Sequence, residues 1–72
     1  MIGDNIKFYR KKNQLTQDDI AEACNVTRQA VSKWENGKTQ PDIQTLSMLA
    51  STLEVSEEDL IYGPSDSEKK TL

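Results

Sequence analysis

Between Thr27 and Gly37 the chain reads TRQAVSKWENG, and its polar side chains fall into a pattern with chemical consequences. Arg28, Gln29, Ser32 and Lys33 are spaced i, i+1, i+4 and i+5, which places all four on one side of a helix. Val31 and Trp34, one turn apart, point the other way, toward a core. The outer face thus offers two cations, an amide and a hydroxyl, with no acid among them. The first turn, Thr-Arg-Gln, also lacks an acid, and Glu35 is the first to follow. A cation at the positive end of a helix is locally unfavourable, and a phosphate nearby reverses that sign. This is the pattern of a helix meant to enter a DNA groove.

Such a face is useful only if other elements hold the apolar side. Helical periodicity dominates the chain, and no stretch alternates with period two. Ile2, Ile6, Tyr9 and Asn13 share one face, giving a first helix from about Asp4 to Lys12, with Phe8 off the stripe. In LTQDDIAEACNV, Thr16 followed three residues later by Asp19 resembles a capping box, and Ile20, Ala21 and Cys24 form the buried side of a second helix. Asn25 suits the left-handed conformation that ends it. Thr27 caps the third helix, and Asn36-Gly37 terminates it. After the loop KTQP, Asp42 caps a fourth helix whose apolar positions are Ile43, Leu46, Leu49, Ala50 and Leu53. Ser56 and Asp59 open a short fifth helix carrying Leu60 and Ile61, stopped by Gly63-Pro64. The expected fold is all-α, a compact bundle of five helices spanning residues 1–63, followed by a polar, disordered tail or linker at 64–72.

Only about three residues, Asn25 to Thr27, join the second and third helices, and so short a link makes them cross steeply. The crossing needs a small residue at the contact, a permissive backbone in the turn and a branched apolar residue opposite. Ala21, Asn25 and Val31 supply these at the spacing of a helix-turn-helix, with Trp34 in the core behind.

The totals bound what else the chain can be. Seventy-two residues make one small domain with a thin core. A net charge of -3 argues against a polyanion partner until the charges are located. Residues 1–40 hold seven Lys/Arg against five acids, whereas residues 41–72 hold seven acids against Lys69 and Lys70. The field at a surface matters more than the sum, so the first half keeps a nucleic-acid face. Cys24 is the single cysteine, which excludes an internal disulfide framework and a Cys-rich zinc site. With no secretory signal pattern and no run able to cross a bilayer, a cytoplasmic setting is expected. There is no histidine, no phosphate-cradling glycine loop and no nucleophile paired with a base, so catalysis is not expected, and neither a metal nor another cofactor is called for.

From Ile2 to about Tyr62 the chain resembles the lambda-repressor-like, Xre-type helix-turn-helix domains of bacterial and phage transcription regulators. The residues that carry the resemblance are LTQDDIAEACNVTRQAVSKWENGKTQPDIQTLSMLA, above all LTQ, TRQAVSKWENGK and the Pro-Asp before the fourth helix. Two positions depart from the family pattern: Asn25 stands where glycine is usual, and Cys24 where a larger aliphatic residue is common. The resemblance implies that Gln17, Thr27, Asn36 and Lys38 contact phosphates and position the domain. It implies that Arg28, Gln29, Ser32 and Lys33 reach base edges, Gln suiting adenine and Arg suiting guanine. It implies an ion pair between Arg10 and Glu35, tying the first helix to the end of the third. It also implies a homodimer on a two-fold double-stranded DNA operator, repressing by occluding polymerase. The alternative is a protein-binding antitoxin or adaptor with the same fold, which the acidic second half and Phe8 would suit. The tail leaves room for a further C-terminal domain.

Overall fold

Local rules account for most of the helix boundaries in the computed structural model, which describes residues 1–64. Five helices run in order, α1 (Ile2–Lys12), α2 (Gln17–Cys24), α3 (Arg28–Glu35), α4 (Ile43–Leu53) and α5 (Glu57–Tyr62), with no strand among the described residues. Apart from Pro64, the tail expected at 64–72 lies outside the described residues. Two capping boxes are complete. Asp19 N–H donates to Thr16 Oγ1 at 3.0 Å while Thr16 N–H donates to Asp19 Oδ2 at 2.8 Å, and Ser56 with Asp59 repeats the exchange. Thr27 accepts from Ala30 N–H at 3.1 Å and Asp42 from Thr45 N–H at 2.7 Å. Hydrogen bonds from Thr45, its side chain first and then its backbone, hold the Asp42 carboxyl below its ordinary range.

Three helices end in the same way. Gln14, Asn25 and Glu54 have φ of 60°, 57° and 60°, in the left-handed region. Each is followed by an apolar residue whose N–H closes back on a helix carbonyl: Leu15 on Arg10, Val26 on Ala21 and Val55 on Ala50, at 2.9–3.0 Å. Leu15, Val26 and Val55 are partly buried against the core. This is the hydrogen-bonded cap with its apolar contact that usually takes glycine at the left-handed position.

The core is formed by Ile6, Tyr9, Ile20, Val31, Leu49, Leu53 and Leu60, all essentially inaccessible to solvent. Helix α1 packs on α3 and α5, α2 on α3 and α4, and α4 on α5. The expectation for α1 is corrected at its start, which lies at Ile2 rather than Asp4. The Met1 carbonyl accepts Asn5 N–H at 3.1 Å, so the first turn forms without a side-chain cap. Ile43 is also corrected: it belongs to the apolar spacing of α4 but is 85% exposed, because it opens the helix and overhangs the core. Ile61 stands 45% exposed.

Candidate nucleic-acid interface

Helix α3 is fixed from behind. Val31 is fully buried, Trp34 is 5% exposed, and Ala21 and Cys24 of α2 are buried in the same core cluster. Burial also raises the Cys24 thiol above its ordinary pKa. Asn25, left-handed at φ 57° and ψ 46°, turns the chain from α2 into α3. The N-terminus of α1 approaches from the other side. A Cβ on Gly3 would lie 2.2 Å from the Trp34 carbonyl oxygen, so only glycine permits α1 to sit this close to the end of α3.

With its inner side held, α3 turns Arg28, Gln29 and Lys33 to solvent, while Ser32 is partly buried. Arg28, Gln29 and Ser32 line one open recess of about 220 Å³. No acid lies in the first turn of α3. Asn36 Nδ2 donates to Ser32 Oγ at 3.4 Å, a long bond on an exposed surface. Gly37, at φ 76°, turns the chain away, and Lys38 N–H returns to the Lys33 carbonyl at 2.9 Å. Lys38 and Thr27 are exposed, at opposite ends of α3.

Arg10 and Glu35 meet in a bidentate pair, with Arg10 Nε 2.6 Å from Glu35 Oε2 and Nη2 3.1 Å from Oε1. The side chains are 11% and 3% exposed, so the pair is buried. Arg10 Nη1 also donates to the Leu15 carbonyl at 2.9 Å. Sequence reasoning missed one further tie: Gln17 Nε2 donates to Glu35 Oε1 at 3.1 Å, joining the start of α2 to the end of α3. Eighteen residues separate the two, and no local pattern signals the contact. Gly3 was missed for the same reason.

Elsewhere, Phe8 is 47% exposed, edge-on to Tyr9 with ring centroids 5.1 Å apart, and the Lys12 ammonium lies 6.0 Å from its ring centre. Among the described residues, no three His, Cys, Asp or Glu side chains converge as metal ligands would, and no helix is long and apolar enough to cross a membrane.

A short-linked helix pair presenting a polar, cationic outer helix, within five helices, defines a helix-turn-helix domain. Residues 6–60 match the family model described as Helix-turn-helix, and the chain belongs to this family in its lambda-repressor-like, Xre-type form. It is 36% identical over 66 residues to the uncharacterized HTH-type transcriptional regulator YqaE of Bacillus subtilis, an alignment spanning 92% of this chain and 57% of that protein. The chain therefore spans little more than half the length of this relative. The P22 c2 repressor in complex with a synthetic operator superposes with a TM-score of 0.83 at 30% identity, covering 89% of this chain and 97% of that one. SinR, a master regulator of biofilm formation, in complex with DNA superposes at 0.77 with 37% identity, covering 85% and 98%.

Proposed function

We propose that this chain is the DNA-binding domain of a transcriptional regulator, a repressor that inserts α3 into the major groove of a two-fold operator as a homodimer. The observation that carries this is the outer face of α3, where Arg28, Gln29 and Lys33 are exposed and free of acids. Gln29 serves as the adenine reader and Arg28 as the guanine reader, with Ser32 and Lys33 beside them. Gln17, Thr27, Asn36 and Lys38 grip phosphates around α3 and set its register. The relatives named as repressors or solved with DNA support this assignment. Repression follows by occupying DNA that polymerase needs.

The second copy is assigned to the apolar face where Met1, Pro41, Ile43, Leu46 and Ile61 border an open recess of about 480 Å³. Clustered exposed apolar side chains of this kind mark interaction surfaces. The same face supports the alternative, an antitoxin or adaptor that binds another protein.

Fluorescence anisotropy against duplex DNA across a salt series separates the two. A phosphate-driven complex weakens steeply as salt rises, with log K falling by about 0.9 per log unit of salt for each neutralised phosphate. Binding to no duplex at low salt, or affinity indifferent to salt, would overturn the proposal.

A further inference from the structure

The turn that closes α3 carries the pair Asn36-Gly37, two residues that can react with each other without a catalyst. The backbone nitrogen of the residue after an asparagine can attack the side-chain carbonyl carbon. Glycine is the most permissive attacker, because it has no Cβ to crowd the closing ring. The chain has four asparagines, and only this one precedes glycine. Asn5, Asn13 and Asn25 precede Ile6, Gln14 and Val26, and the amides of Asn5 and Asn13 are tied to backbone carbonyls at 2.8 Å. Asn36 and Gly37 are both exposed, and beyond their chain neighbours no described atom lies within 4 Å of the place a Cβ on Gly37 would fill. The Asn36 amide is held loosely, by its 3.4 Å bond to Ser32 Oγ. Backbone bonds restrain the reaction: Gly37 N–H donates to the Trp34 carbonyl at 3.1 Å and Lys38 N–H to the Lys33 carbonyl at 2.9 Å. Both close the end of a helix, where local opening costs little free energy.

We propose that Asn36-Gly37 is a self-modification site that turns the end of α3 from a DNA-gripping surface into a DNA-repelling one. When the last turn opens, the Gly37 nitrogen loses its proton and bonds to the Asn36 side-chain carbonyl carbon. The side-chain nitrogen takes up a proton and leaves as ammonia, and a succinimide remains. Water then opens the ring at either carbonyl, giving aspartate or isoaspartate at position 36 with no change in oxidation state. Either product replaces a neutral amide donor with an anion that only accepts. The new charge falls on a residue assigned above to a phosphate, where like charges repel. This consequence rests on the DNA-binding role proposed above, whereas the chemistry does not. DNA seated on this turn keeps it closed, so the free protein ages while the bound protein is preserved.

The test is incubation of the intact chain at mildly alkaline pH. Samples are digested with trypsin, and the peptide of residues 34–38 is followed by mass spectrometry and by isoaspartate-specific methylation. Conversion of amide to acid is expected at Asn36 over days, faster as pH rises, with Asn5, Asn13 and Asn25 unchanged. Gly37→Asn adds a side chain to the attacking residue yet tolerates the left-handed φ of 76°. It is expected to slow conversion by about tenfold or more. An intact peptide after prolonged incubation, or equal rates in wild type and Gly37→Asn, would overturn the modification site. Fluorescence anisotropy reads the consequence. Asn36→Asp and the converted wild type are expected to bind duplex DNA about tenfold more weakly, the loss of one charge-assisted hydrogen bond. Gly37→Asn incubated alongside should keep its starting affinity. Unchanged affinity in Asn36→Asp and in the converted chain would overturn the loss of DNA binding. Conversion at one rate with and without a saturating duplex would contradict protection by DNA. If the wild type binds no duplex, the DNA role and this consequence fail together, while the mass change at Asn36 still decides the chemistry.

Discussion

Replacing Arg10 by methionine tests whether the α1–α3 junction is a buried ion pair or a surface one. Methionine keeps an unbranched apolar stem, so the loss is concentrated in the charge and its bonds. Three hydrogen bonds disappear, at 2.6 and 3.1 Å to Glu35 and 2.9 Å to the Leu15 carbonyl. Glu35, with 3% of its side chain exposed, keeps only the Gln17 amide as a described partner. Removing one member of a buried pair costs about 3–5 kcal/mol, whereas an exposed pair is worth about 0–1 kcal/mol. A domain of this size has a total stability of roughly 3–10 kcal/mol, at ~0.05–0.15 kcal/mol per residue. Arg10→Met is therefore expected to take away about 30% of the stability or more, and to leave the domain partly unfolded if the total lies at the low end. Urea unfolding followed by circular dichroism measures the loss. The double variant Arg10→Met/Glu35→Leu, which buries no charge, should return to within about 1 kcal/mol of wild type or exceed it. A loss under about 1 kcal/mol in the single variant, with no recovery in the double, would refute the claim that the pair is desolvated.

Three further perturbations address separate parts of the structure. Gly3→Ala places a Cβ 2.2 Å from the Trp34 carbonyl oxygen, so α1 must move off α3; thermal melts should show a loss of about 1–3 kcal/mol, and an unchanged melt would mean that the close approach is not maintained. Glu54→Gly relieves a left-handed residue at the end of α4 and should raise the urea midpoint by about 1 kcal/mol of stability, whereas a lowered midpoint would show that the lost entropy outweighs the strain. Asp42 has a carboxyl held below its ordinary pKa by Thr45, so its contribution is present above the unfolded-state pKa and disappears as pH falls through the lower folded-state value. Asp42→Asn keeps a capping side chain without the titration and should lose less stability than wild type on acidification; parallel acid curves would contradict the cap.

Legibility in the sequence followed the range of the interaction. The caps at Thr16, Thr27, Asp42 and Ser56 each span three residues, so residue type and spacing reveal them. The inward Val31 and Trp34 and the outward Arg28, Gln29 and Lys33 follow from helical period alone. Ile43 shows where periodicity misleads, because a face continues past the point at which the core ends. Contacts between distant residues left no trace in local pattern. Asn5 donates to the Leu60 carbonyl across 55 residues at 2.8 Å, tying α1 to the last helix, yet in sequence it is only a polar residue beside an apolar stripe. Gly3 and the Gln17–Glu35 bond are equally silent, since each depends on how two separate helices meet. The Arg10–Glu35 pair was reachable only through family resemblance, because 25 residues separate its members.

Selection of duplexes from a randomised pool, run in parallel with wild type and Gln29→Ala, tests the outer face of α3 most directly. The wild-type chain should enrich a defined motif, and the variant should lose preference at one position in it while keeping the rest. Identical motifs for both proteins would remove Gln29 as a reader. Enrichment of nothing by the wild type would contradict the assignment of this face to DNA.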